Sequence, residues 1–355
     1  MVKSVCLYSG GLDSILAIQI IKNACKKKLE IIAVRFVTPF FDYKDELLFL
    51  EEKEYLKSKF DVVLKKIYIS EDYIDLLYKP KHGFGKNLNP CLDCKILMVK
   101  KAKELMTKEK ASFVFTGEVL GQRPKSQKGN GLRLIEKEAG LEGKILRPLS
   151  AKLLSETAIE RSGDIERDRL LDISGRSRMK QLELAKKYGI KYFATPSGGC
   201  LLTDAEYARK LKIIREKIGL DENIIKFLKW GRLFIINAQL LVVGRNDLEN
   251  KKLLKLASAH DLLIQPKEVP GPLCVFLNNS KVTGYLTNKK ILKLLCSICA
   301  RYTLKRNFTM KDNLKIQYGK RYSGIEKVAN LRELFLEDIL EVGATSEDTI
   351  NRYSI

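Results

Sequence analysis

Two sets of residues in this 355-residue chain have types and spacings that could do chemistry. The first is Ser9-Gly10-Gly11-Leu12-Asp13-Ser14, set between the apolar run Val5-Cys6-Leu7-Tyr8 and the apolar-periodic run Ile15 to Ile21. A strand, a glycine turn and a helix N-terminus in that order make an anion site. The glycines let the backbone turn and approach a ligand without a Cβ clash. Ser9, Ser14 and the N–H groups of the first helical turn can then face phosphate oxygens, helped by the helix dipole. An ordinary strand-to-helix turn is the bland alternative, and a six-residue pattern disfavours it. The second set is Cys91, Cys94 and Cys200. Cys91 and Cys94 stand at i and i+3 after Pro90, ahead of a helical run from Ile96 to Met106, and can converge on one metal. A helix N-terminus and Lys95 would favour their thiolates. Cys200 ends the glycine turn Pro196-Ser197-Gly198-Gly199-Cys200, which leaves it accessible rather than packed.

The elements that must position these residues follow from the hydrophobic pattern. Ile31 to Val37 reads as a buried strand, Asp45 to Phe60 as an amphipathic helix, Val62 to Ile69 as a third strand and Phe113-Val114-Phe115 as another. Strands alternating with helices at this spacing predict an α/β fold, a doubly wound parallel sheet with ligands beyond the carboxyl ends of its strands. A helix opened by Gly175-Arg176-Ser177-Arg178 runs to Tyr188 and is capped by Gly189. Arg123 to Gly131 reads as a flexible basic loop, a lid or a phosphate-backbone contact.

Composition bounds the function. Lys and Arg number 65 against 43 Asp and Glu, a formal charge of +22, which points to a polyanionic partner and to nucleic acid before membrane. No apolar run is long enough to span a bilayer, so a cytoplasmic protein is expected. Eight cysteines in such a chain argue for metal or redox chemistry rather than disulfides. Cys6, Cys25, Cys274 and the pair Cys296 and Cys299 lie in apolar runs and read as packing. His82 and His260 stand in no ligand-spaced pair.

The glycine loop resembles that of the PP-loop ATP pyrophosphatases, which adenylate a substrate oxygen. The resemblance implies that Ser9, Gly10, Gly11, Asp13 and Ser14 hold the β- and γ-phosphates of ATP, with Asp13 working through Mg²⁺, and that Phe36 to Thr38 flank adenine. Thr116-Gly117-Glu118 resembles the strand end that contacts the nucleotide in tRNA 2-thiouridylases, so Thr116 and Gly117 join the nucleotide site. Ser197 and Cys200 match the spacing of the segment that carries the second functional cysteine in those enzymes. The implied partners are tRNA and a sulfur donor.

Thiolation needs a sulfur nucleophile to displace AMP. A cysteine persulfide resolved by a second cysteine needs two thiols. Three thiolates can instead hold a [4Fe–4S] cluster with one iron left open. Three cysteines favour the cluster, with persulfide second and structural zinc third. Many persulfide-type enzymes have an aspartate where Cys91 stands. Asp93 reads as a solvated turn carboxylate.

The thiolation domain is expected over residues 1–203, a basic helical connector over 204–230, a second module over 231–328 and a C-terminal helix and tail over 329–355. The second module is a smaller α+β domain. Its Gly244-Arg245-Asn246 turn with Asn250, its Asp261-led strand and its Pro270-Gly271-Pro272 turn resemble the RNA-binding module of the NFACT proteins. Arg301, Tyr302, Lys305, Arg306, Lys315, Tyr318, Lys320, Arg321 and Tyr322 interleave cations with aromatics, as RNA stacking and phosphate contact require. The expected activity is therefore an ATP-dependent tRNA sulfurtransferase. A PP-loop ligase using a nitrogen nucleophile and a nucleotide-sensing RNA-binding factor are the alternatives.

Overall fold

The computed structural model describes residues 1–41, 46–193, 199–267, 269–277, 289–304, 314–321, 334–342 and 354–355. The chain forms two compact units, Met1–Ala205 and Glu206–Ile355.

The first unit alternates strands and helices: β1 (Val2–Leu7), α1 (Leu12–Ala24), β2 (Leu29–Val37), α2 (Glu46–Phe60), β3 (Val63–Tyr68), α3 (Ser70–Tyr78), α4 (Cys91–Lys108), β4 (Phe113–Thr116), α5 (Gly129–Ala139), β5 (Ile145–Leu146), α6 (Ala158–Arg161) and α7 (Met179–Lys187). Its five strands form a doubly wound parallel sheet in the order β3-β2-β1-β4-β5. β1 sits at the centre because both its faces are apolar enough to be covered, with Val5 and Cys6 fully buried. α1 is apolar nearly all round and is packed accordingly, from Leu12 to Ala24. α2 is less amphipathic than its sequence implies: Leu47, Leu48 and Leu50 face solvent, while Glu52, Leu56 and Phe60 turn inward. Gly175 to Arg178 form a turn, and α7 starts only at Met179.

The second unit begins with α8 (Ala205–Lys217) and the short α9 (Glu222–Ile225). It continues through β6 (Arg232–Ile236), β7 (Gln239–Val243), α10 (Asp247–Leu256), β8 (Leu262–Pro266), β9 (Cys274–Phe276), α11 (Lys289–Leu304), β10 (Leu314–Arg321) and β11 (Leu334–Val342). These strands form an antiparallel sheet in the order β11-β10-β8-β9-β7-β6. The period-two pattern of Leu233 to Ile236 and Leu240 to Val243 sets the hairpin, and α11 lays Leu292, Leu295, Cys296 and Cys299 on the sheet. Cys296 and Cys299 are therefore core residues.

The helix expected within 329–355 does not form at its centre. Leu334–Val342 is β11, paired antiparallel along β10 with a register shift at Tyr318/Gly319. Its sequence, LFLEDILEV, fits either periodicity. The open backbone edge of β10 decides between them, because that edge must find partners.

The glycine and asparagine of the Gly244 turn hold this unit together. Asn250 donates Nδ2–H to the Gly271 carbonyl at 3.1 Å and accepts the Leu273 N–H at 3.0 Å. A Cβ on Gly244 would lie 2.1 Å from Asn250 Oδ1. Asn250→Ala removes both bonds and leaves a backbone donor unmet, a loss of ~1–3 kcal/mol. Urea denaturation should show the second unit unfolding earlier, and an unchanged midpoint would contradict the stapling role.

Candidate active site

Leu7, the last residue of β1, pairs with Val34 of β2 on one side and Thr116 of β4 on the other. The strand order reverses between β1 and β4, so the loops after these strands flank a crevice at the carboxyl edge. Gly10 sits at φ +73°, and a Cβ there would meet Arg35 Nη2 and Glu52 Oε1, each at 3.0 Å. Gly11 is the extended N-cap of α1. Of the three glycines here, Gly117 makes the closest approach. A Cβ on it would lie 2.5 Å from the Asp13 carbonyl carbon and oxygen and 2.6 Å from the Ser14 nitrogen. Thr116 is buried, and its Oγ1 lies 3.2 Å from both the Glu118 N–H and Glu118 Oε2.

Ser9 is exposed at the mouth, where its hydroxyl accepts the Gly11 N–H at 3.4 Å. Ser14 is buried and donates its hydroxyl proton to the Gly11 carbonyl at 2.7 Å, so that side chain shapes the loop. Beneath the loop, Arg35 of β2 donates to the Ser9 carbonyl at 3.2 Å and pairs with Glu52 of α2. Phe36 is buried near the end of β2, and Thr38 Oγ1 accepts from the N–H groups of Phe40 at 3.2 Å and Phe41 at 3.3 Å.

Asp13 accepts from Gln122 Nε2 at 3.2 Å and faces Arg178 Nη2 at 3.7 Å through the same oxygen, Oδ2. Its Oδ1 is buried and meets no donor at full hydrogen-bond geometry. Burial raises the carboxyl's pKa, against the pull of Arg178 and of the side-chain amides of Gln122 and Gln181. An unmet carboxylate oxygen beside a helix N-terminus suits a hard cation held between Asp13 and phosphate.

The cysteines lie in the first unit as well. α4 begins at Cys91 rather than near Ile96, so Cys91 and Cys94 occupy its first turn, with the Cys94 N–H bonded to the Pro90 carbonyl at 2.8 Å. Asn89 Nδ2 donates to Cys91 Sγ at 3.1 Å. Cys200 precedes a short 3-10 turn, Leu201–Thr203, tied by the Leu201 N–H to the Phe40 carbonyl at 3.1 Å and by Asn87 to the Thr203 carbonyl at 2.7 Å. Ser197 lies outside the described residues.

Tyr73 joins these sulfurs. Its ring is buried against Phe40 and Phe41, its hydroxyl hydrogen-bonds Cys94 and Cys200, and all three thiols act on one another's charge. Burial pushes the Cys94 thiol up to about 12, outweighing Lys95, and Cys200 up to about 11. The thiolate expected at Cys94 from the helix N-terminus and Lys95 is thus disfavoured. Lys95 also faces Glu118 at 3.5 Å. Burial drives the Glu118 carboxyl up, but Lys95 and Arg147 together hold it below its ordinary range. Among the described residues, no three His, Cys, Asp or Glu side chains are grouped tightly enough to hold a metal ion as they stand.

Several neighbours carry no sequence signal. Tyr73 reads as a core aromatic, and Gln122 and Arg178 as turn residues. Arg123 is exposed, and its charge acts on both Asp13 and Cys200. The segment around it is a compact turn rather than a flexible loop: Ser126 and Gln127 are buried, Gly121 N–H bonds the Gln127 carbonyl at 2.7 Å, and α5 begins at Gly129. Asp93 is not a solvated carboxylate. It is buried and accepts the His82 N–H at 3.0 Å, because the turn before α4 folds back over it. His82 itself meets Glu138 at 3.1 Å.

In the second unit, the resemblance-bearing turn does structural work. Arg245 is bound to Glu249 at 2.5 Å, and Asn246 caps α10 by accepting the Glu249 N–H at 2.9 Å. Arg301 and Tyr318 are buried, which removes them from the expected basic-aromatic face, since α11 and β10 turn them into the packed interior. Lys315 is exposed. Lys305, Arg306 and Tyr322 lie outside the described residues, as do the side chains of Lys320 and Arg321.

Residues 2–161 match the family described as thiamine biosynthesis protein (ThiI), and residues 231–341 match the NFACT protein RNA binding domain. No curated protein sequence matches. Similar solved structures include a U34-tRNA thiolase, NcsA, from Methanococcus maripaludis with its [4Fe–4S] cluster. It is 16% identical, with 61% of this chain and 66% of that chain covered and a TM-score of 0.33. The chain thus spans just under two thirds of that protein's length. The C-terminal part of the fibronectin/fibrinogen-binding protein of Streptococcus suis is 13% identical, covering 88% and 100%, with a TM-score of 0.27. The NH3-dependent NAD synthetase of Campylobacter jejuni, in complex with nitrate, is 15% identical, covering 64% and 82%, with a TM-score of 0.30. Among the described residues, no helix is long and apolar enough to cross a membrane.

Two outcomes follow from this geometry. Gly117→Ala should displace the glycine loop and weaken ATP binding at least about tenfold in calorimetry, since a side chain cannot share space with backbone; wild-type affinity would contradict the close contact. Alkylation of Cys94 and Cys200 in metal-free protein should climb about tenfold per pH unit from pH 7 to 10, because thiols held protonated expose thiolate only as pH rises. A plateau near neutrality, read by mass spectrometry of labelled peptides, would contradict their burial.

Proposed function

We propose that this chain, which joins a ThiI-family domain over residues 2–161 to an NFACT RNA-binding domain over residues 231–341, is an ATP-dependent tRNA sulfurtransferase that replaces a uridine carbonyl oxygen with sulfur. The observation that carries this reading is the turn Thr116-Gly117-Glu118: Gly117 lies against the backbone of Asp13 and Ser14 in the glycine loop, and Glu118 meets Lys95, the residue after Cys94, at 3.5 Å. Phosphate chemistry and sulfur chemistry thereby border one turn.

In this reading, the backbone of Ser9 to Gly11 and the N-terminus of α1 hold the pyrophosphate of ATP. Thr116-Gly117 and Phe36 line the nucleotide side. Asp13 Oδ1 would hold Mg²⁺, whose charge would offset that of the phosphates. The uridine oxygen bonds to the α-phosphorus, and pyrophosphate leaves. Sulfur then bonds to the ring carbon, and AMP departs with the oxygen. Arg178, 3.7 Å from Asp13, is placed to face the anionic side of this exchange.

Cys91, Cys94 and Cys200 supply soft donors of the kind an iron–sulfur cluster takes, and burial holds the thiols of Cys94 and Cys200 up against the pull of Lys95 on one and Arg123 on the other. Bound there by three thiolates, a [4Fe–4S] cluster would provide an iron with an open position for sulfur delivery. Tyr73 keeps its hydroxyl on Cys94 and Cys200 and, with Phe40, excludes water from that side. A nitrogen nucleophile, the alternative, would leave the convergence of three cysteines on Tyr73 without a use.

Incubation with ATP, sulfide and unthiolated tRNA should yield a thiouridine in nuclease digests analysed by mass spectrometry. Protein purified without oxygen should carry about four irons per chain and lose them in Cys91→Ala, Cys94→Ala and Cys200→Ala. Well-handled protein without iron would contradict the cluster, and tRNA left unthiolated would contradict the activity.

A further inference from the structure

Trp230 is the only tryptophan in the chain, and it stands between α9 and β6. The backbone on either side of it is fixed. Its N–H bonds the Phe227 carbonyl at 2.9 Å, and Gly231, at φ +66°, lies so close to β7 that a Cβ would sit 2.5 Å from the Val243 carbonyl oxygen. The Gly231 N–H in turn bonds Glu249 of α10. With its neighbours pinned, the indole is left half-buried and is not among the described side chains packed on the sheet's core.

A cation stands over the indole. Lys252 of α10 places its ammonium 6.0 Å from the indole centroid. Leu248, one helical turn earlier on the same face, is 63% exposed. Lys229 and Arg232 flank Trp230 in sequence and Lys255 follows Lys252 by three residues on α10; all three are exposed, with burial lowering the pKa of Lys229 somewhat, and the Arg232 guanidinium lies 4.6 Å from the Tyr302 ring centroid. The acidic side chains of α10 are already engaged: Asp247 with Lys251 at 2.7 Å and Glu249 with Arg245 at 2.5 Å. A half-buried indole with Lys252 over it, in a stretch rich in exposed cations, matches a ligand that carries a flat face and a negative charge in each repeating unit. A nucleotide does so. An acidic peptide brings the charge without the face.

We propose that Trp230 and Lys252 form a stacking site for one base of a single-stranded RNA segment, with Lys229, Arg232 and Lys255 meeting the flanking phosphates. This rests on the reading of the chain as an RNA-acting enzyme and places one contact of that RNA on the second unit.

Because Trp230 is the sole indole, its fluorescence reports the site directly. Titrating the full chain with a short oligouridylate should quench the emission and saturate with the binding curve measured by anisotropy of the labelled oligonucleotide. Trp230→Ala should weaken binding about tenfold. Its salt dependence should stay as in wild type, since stacking releases no counterions. Trp230→Phe, which keeps a ring and guards against misfolding, should restore most of the affinity. RNA binding without a change in emission, or undiminished affinity in Trp230→Ala, would overturn the site and leave the RNA reading standing. Failure of the wild-type chain to bind tRNA or oligonucleotide would overturn both. Equal quenching by polyglutamate at the same charge concentration would overturn RNA as the occupant.

Discussion

The first unit depends on one close contact, the backbone of Gly117 laid against the backbone of Asp13 and Ser14, where a Cβ would stand 2.5 Å from the Asp13 carbonyl. Two strands that are neighbours in the sheet thereby end in loops that touch. The glycine loop alone could bend in several ways, since Gly10 and Gly11 have wide conformational freedom. Gly117 on one side and the Arg35–Glu52 pair under Ser9 on the other leave it one shape. That shape points the α1 N-terminus outward and leaves Asp13 Oδ1 unmet.

Desolvation is the second organising force. Around Tyr73, burial outweighs Lys95 and the Tyr73 hydroxyl, and the net shift of the Cys94 thiol to about 12 costs its thiolate on the order of 4 kcal/mol relative to a thiol in water. Lys95, shared with Glu118 at 3.5 Å, reduces that cost without cancelling it. The Cys94 and Cys200 thiols are thereby held protonated at neutral pH.

The fold of the first unit was legible because its signals are local. The β1 pattern, the glycine turn and the apolar periodicity of α1 each agree with the sheet that forms, and the hairpin of β6 and β7 follows from its period-two run. What was not legible depends on distant partners. Tyr73 looks like any core aromatic until α3 brings it to Cys94 and Cys200. Asp93 looks solvated until the turn bearing His82 closes over it. Arg301 and Tyr318 read as an RNA-facing stripe until α11 and β10 bury them. Leu334–Val342 fits a helix until β10 offers it an edge. In the same way, Gly244 and Asn250 carry the resemblance to an RNA-binding module while serving to hold that module's turns together.

The central claim is that adenylation and sulfur transfer are separable steps in a shared site, one on the glycine loop and one on the cysteines. The most direct test measures tRNA-dependent pyrophosphate release and thiouridine formation side by side in wild type and in Cys200→Ala. The account predicts both in wild type, and pyrophosphate release without thiouridine in the variant. Thiouridine formed at the wild-type level by Cys200→Ala, or no tRNA-dependent pyrophosphate from the wild-type chain, would contradict it.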